Sequence, residues 1–206
     1  MASCCEGDCS LDARHSRQRG TLRVVLVINA VMFLVIVAAA LYGGSASLLA
    51  DSLDNLGDAL TYGLSLYAVS RGALVKARVA LFKGGLILLA ALAVGGQIVY
   101  KLLNPSLPLF EIMGVFSLIG LIANGACLGL LWRHRNEDIN MSSVWECSRN
   151  DIVSNLSVFV AAGAVYLTKT GWPDILVATA LLFFLLRSAL RVISSARSEI
   201  KAAGEF

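Results

Sequence analysis

Four side chains carry the chemistry that this sequence can do. Asp54 and Asp58 stand four residues apart within Ser47–Ser70, and Cys147 and Asp151 stand four apart within Ser143–Leu167. Both stretches otherwise read as membrane helices. A carboxylate near the bilayer centre costs roughly 2.5–3.5 kcal/mol on insertion scales, so such groups are paired, solvated in a cavity or bound to a cation. On an α-helix, positions i and i+4 lie about 40° apart and about 6 Å along the axis. Each pair therefore shares a helix face, and Asp51, seven residues before Asp58, is expected on that face too. Two carboxylates from one helix meeting a carboxylate and a thiolate from another make a tetrahedral set for a d¹⁰ ion. The thiolate favours Zn²⁺ or Cd²⁺ over Mg²⁺ or Ca²⁺. The reading is of a divalent ion crossing the membrane as transported substrate, with no cofactor expected.

Other polar residues admit two readings each. Asp51 is either a helix cap or an entrance residue on the ion path. Asn124 and Asn155 either hydrogen-bond across the bundle or line that path. Arg149 and Arg187 are candidate counter-ions for the intramembrane aspartates. Asp174, just after Pro173, is expected to sit at the positive end of its own helix as a cap. Cys127 has no acidic neighbour in the sequence and is expected to pack as a small hydrophobe. The stretch Cys4-Cys5-Glu6-Gly7-Asp8-Cys9, with His15 nearby, is either a metal-collecting tail or a disordered one, and matches no zinc-finger spacing.

The elements that must position these residues follow from composition. The 206 residues are 57% hydrophobic and 15% charged, with a mean hydropathy of +0.75. A soluble domain carries closer to a quarter charged residues. Four runs are long and apolar enough to span a bilayer: Leu22–Tyr42, Val79–Tyr100, Leu109–Trp132 and Trp172–Ile193. Ser47–Ser70 and Ser143–Leu167 complete six spans, interrupted by the residues above. The fold class is an all-α membrane protein of six transmembrane helices. Residues 1–20 form a Cys-containing tail, 21–196 the six-helix domain and 197–206 a short tail. With the N-terminus inside, thirteen Lys and Arg fall on the inner side and only Lys101 and Lys169 on the outer. That bias places both termini in the cytoplasm, and it explains the basic residues without a nucleic-acid partner. Gly84, Gly85, Gly95 and Gly96 allow close helix approach, either in ordinary packing or at a homodimer face built from transmembrane helices.

The run from Gly44 to Asp58, the run from Glu137 to Asp151, and Gly171-Trp-Pro-Asp174 together resemble the cation diffusion facilitator family of metal transporters. The resemblance spans residues 20–195. It implies a divalent-metal/proton antiporter that exports metal, with Asp54, Asp58, Cys147 and Asp151 as ligands, in a bacterial inner (plasma) membrane. Two departures stand out. The family usually has His where Cys147 stands, and most members end in a cytoplasmic metal-binding domain that this sequence does not show. Two rival readings are a passive divalent-cation channel and an intramembrane aspartyl protease. The protease reading leaves the matched spacing of the two pairs unexplained.

Overall fold

A computed structural model describes residues 4–68, 73–132 and 139–204, with side chains at 19–64, 66, 74–75, 77–132 and 149–201. The described residues form six helices: α1 (Cys4–Gly43), α2 (Ala46–Ala68), α3 (Ala73–Leu103), α4 (Phe110–Trp132), α5 (Ile139–Thr168) and α6 (Trp172–Gly204). Five of them carry a segment long and apolar enough to cross a membrane. The exception is α2, where Asp51, Asp54 and Asp58 break the apolar run. The two stretches expected as polar tails continue helices, since α1 begins at Cys4 and α6 runs on to Gly204.

Helices are what an apolar solvent demands, because each satisfies its backbone hydrogen bonds internally. Large apolar side chains point outward along the bundle: Leu34, Phe82, Leu89, Ile122, Val160, Leu176 and Phe183 are each more than half exposed. So continuous an apolar surface suits lipid rather than water. This is an integral, multi-pass membrane protein. Its helices pack most extensively as α3 on α6, α1 on α2 and α4 on α5. The main core joins Ile36, Ala40, Leu48, Ala91, Val94, Val158, Ala178 and Ala189.

The corner between α1 and α2 has no slack. Gly44 takes φ of 59°, and the Ser45 amide reaches back to the Ala40 carbonyl at 3.0 Å. This left-handed glycine with its long back-bond is a Schellman closure. Ser45 then serves as N-cap of α2, its Oγ accepting from the Leu48 amide at 3.0 Å.

Asp174 departs from expectation here. Its carboxylate accepts from the Ala46 and Ser47 amides, both at 3.0 Å, and from the hydroxyls of Ser45 at 2.7 Å and Ser47 at 2.6 Å. It stands in the first turn of α6 as expected, but its hydrogen bonds cap α2, because the chain reversal at Gly44 delivers the bare amides of α2 directly to it. Lys101, at the C-terminal end of α3, is buried and pairs with Asp174 at 2.7 Å. One carboxylate thus ties α2, α3 and α6 together.

The glycines of α3 divide between two faces. A side-chain carbon at Gly84 would lie 2.7 Å from Ile193, and one at Gly95 would lie 3.6 Å from Leu182, both on α6. These two glycines serve contact within the chain, which removes them from the expected dimer face. Gly85 and Gly96 have nothing within 4 Å.

Candidate metal-transport site

Asp54, Asp58 and Asp151 line a single pocket of ≈ 690 Å³ between α2, α3, α5 and α6. Antiparallel packing of α2 and α5 brings them together. Ser154 Oγ donates to Asp54 Oδ2 at 2.9 Å across the two helices. Asp58 and Asp151 lie within hydrogen-bonding reach of each other. Tyr62, one turn beyond Asp58, donates its phenol proton to Asp58 Oδ2. Thr61 accepts from Lys83 of α3, and Lys83, Arg187 and Arg191 stand on the pocket wall.

Three of the four expected ligands therefore share one chamber. The side chain of the fourth, Cys147, lies outside the described residues, although its backbone sits on α5 one turn before Asp151. Among the described residues, no three His, Cys, Asp or Glu side chains are arranged to hold an ion as they stand. The side chains of Cys4, Cys5, Cys9 and His15 also lie outside the described residues. Arg187, considered as a counter-ion, lines the pocket; the partner of Asp54 is the neutral Ser154.

Asp51 does not share the pocket with Asp54. It belongs with Asn55, Asp58 and Tyr62, at steps of four, three and four, on the stripe of α2 that is buried within the bundle. Tyr62 packs there with Val25 of α1 and with Cys127 and Leu131 of α4. Cys127 is thus a packing residue, as expected, touched by the amide of Asn29 at 3.9 Å. The cap reading of Asp51 does not hold, because both of its oxygens are buried without a hydrogen-bond partner among the described residues. Asn124 and Asn155 are likewise buried on the α4 and α5 sides of this region. Asn155 presses against Gly120 so closely that a side chain there would collide with its Oδ1.

Sequence reasoning missed Ser154, Thr61, Tyr62 and Lys83. A signal existed for two of them. Tyr62 repeats the four-residue step after Asp58, and Ser154 follows Asp151 by three, on the same helix face.

Helices that expose apolar side chains to lipid while enclosing a carboxylate-lined chamber define a polytopic membrane protein built to handle a cation. Residues 22–200 match the family model described as the cation efflux transmembrane domain, and the chain belongs to that family of cation efflux transporters. It is a family of transporters and not of enzymes. No curated protein matches the chain.

Proposed function

We propose that the chain exports divalent heavy-metal ions, Zn²⁺ or Cd²⁺, by alternating access in exchange for protons. The observation that carries this reading is the convergence of Asp54 and Asp58 from α2 with Asp151 from α5 on one pocket. Cys147, one turn from Asp151 on α5, would supply the soft fourth ligand. Ligation requires carboxylates and thiolate in their deprotonated forms, so protons and metal compete for the same atoms. Open to the cytoplasm, the site would release protons and take the ion. Open to the other side, protons would displace it and return with the empty carrier. Both termini would lie in the cytoplasm, in keeping with the bias of basic residues.

The test is flux in sealed vesicles containing the purified protein, with a panel of divalent ions inside or out. Metal movement coupled to an opposing pH change supports the exchange. Metal movement without proton movement would make the protein a passive channel. No movement of any divalent ion would remove the reading altogether.

A further inference from the structure

The wall formed by α2 and α5 has two polar sides. One is the pocket, which faces α3 and α6. The other faces α1 and α4, as the packing of Tyr62 against Val25 and Cys127 and of Asn155 against Gly120 shows. On this second side the buried polar atoms follow a pattern. The Nδ2 groups of Asn29, Asn55 and Asn155 donate to the carbonyls of Val25, Asp51 and Asp151, each one turn earlier, at 2.9, 3.3 and 2.8 Å. Those bonds fix which end of each amide points away, and it is the oxygen. The Oδ1 atoms of Asn29, Asn55 and Asn155, both oxygens of Asp51 and Oδ2 of Asp151 have no hydrogen-bond partner among the described residues.

Register sets the depths of several of these residues. Ser154 bonds Asp54, and Asp151 faces Asp58. Asn155 and Asn55, each one residue onward from the Ser154–Asp54 pair, therefore lie within about 3 Å of the same depth. Asp51 is one turn nearer the Ser45 end, about 6 Å along. A buried polar group without a partner is costly. Here the unmet groups are, apart from Asn124 Nδ2, all acceptors, and two of them are carboxyl groups. Hydrogen-bond donors among the described residues do not reach them, and an anion would add to the deficit. A cation with a preference for oxygen meets it.

We propose that Asp51, Asn55 and Asn155 form a second cation station, made of oxygen ligands alone. It lies on the α1/α4 side of the α2–α5 wall, between the pocket and the Ser45 end of α2. The proposal rests on the transport reading for its purpose: an ion leaving the pocket toward the Ser45 end of α2 is received by these oxygens on its way across. Being free of sulfur, the station takes hard divalent ions that a thiolate site holds poorly.

Two probe ions separate the sites. Mn²⁺ binding is read from the loss of the free-ion electron paramagnetic resonance signal, and Cd²⁺ binding from equilibrium dialysis, on purified full-length protein. Asp54→Ala is expected to lose Cd²⁺ and keep Mn²⁺. Asp51→Asn is expected to keep Cd²⁺ and lose Mn²⁺ affinity by about 10–100-fold, the range seen when groups at metal sites are removed. Asn155→Ala, which removes one oxygen ligand and the bond to the Asp151 carbonyl while relieving the contact with Gly120, gives a smaller loss in the same direction and covers a folding failure of the first variant. Mn²⁺ binding that is indifferent to both Asp51→Asn and Asn155→Ala overturns the station. So does joint loss of both ions in either single variant, which would mean one site. A wild-type protein that moves no ion in vesicles would end the transport reading yet leave the Mn²⁺ count to stand or fall by itself.

Discussion

Asp174 and Asp51 are both fully buried aspartates in the same bundle, and their surroundings could hardly differ more. Asp174 accepts from two amides, two hydroxyls and an ammonium group. Asp51 has no hydrogen-bond partner for either oxygen among the described residues. Asp54, Asp58 and Asp151 fall between, with a few neutral partners and an open pocket beside them. The contrast teaches that burial alone does not mark function. A saturated carboxylate holds helices in place, whereas an unsaturated one keeps coordination capacity for something that comes and goes.

Breaking the saturated end should produce the largest loss of stability. Removing one partner of a buried ion pair strands the other, typically at about 3–5 kcal/mol. Asp174→Ala is thus expected to lower the thermal midpoint of the detergent-solubilised protein sharply. Lys101→Met with Asp174→Asn together should recover part of that loss, and a double substitution as damaging as Asp174→Ala would show the pair is not the source.

The unsaturated end should behave in the opposite way. Asp54→Ala or Asp151→Ala is expected to cut vesicle transport by about 100-fold or more, equivalent to about 2.7 kcal/mol, while the midpoint barely moves. Wild-type flux in both variants would take these residues out of the site. A subtler outcome is expected at Cys147. Exchange of the thiolate for imidazole, Cys147→His, should shift preference from Cd²⁺ toward Zn²⁺. An unchanged Zn²⁺/Cd²⁺ ratio in paired assays would place that side chain away from the ion.

The two faces of α3 offer the smallest and sharpest contrast. Gly84→Leu drives a side chain into Ile193 and its backbone, with an expected cost of about 1–3 kcal/mol from overpacking. Gly85→Leu with Gly96→Leu starts from exposed positions where a side-chain carbon has nothing within 4 Å, so the fold should be unaffected. Should copies associate through that face, the double variant would instead reduce the mass of the detergent particle. An unchanged particle mass would place any association elsewhere.

Much of the pocket was legible because it is written in local spacing. Asp54 with Asp58, and Asp151 on a second helix, follow from the helical repeat and from the cost of burying charge in lipid. The Asp174 cluster was not legible, since its bonds join residues 73 and 127–129 positions apart. Nothing in the local sequence says that Lys101 turns inward or that Asp174 serves another helix's amides. The same limit applies to Asp51. Its phase on the helix matched that of Asp58, but only the packing of α1 and α4 decides which side of α2 is sealed. Gly84 and Gly85 are adjacent in sequence, and the position of α6 alone separates their roles.

The cluster at Asp174 also has a mechanical consequence. It pins the Ser45 end of α2 to α3 and α6, and the tight corner at Gly44 joins α1 to the same point. Motion of α2 is then rotation about a fulcrum. Asp54 lies about 13 Å from that fulcrum and Ala68 about 34 Å from it along the helix. A tilt of about 5° would shift Asp54 by about 1 Å, enough to open or close an ion's coordination, while the far end sweeps about 3 Å. Spin-label distances across the bundle should therefore change progressively from the Ser45 end of α2 to the Ala68 end as metal binds, and a uniform displacement along the helix would show that the fulcrum slips.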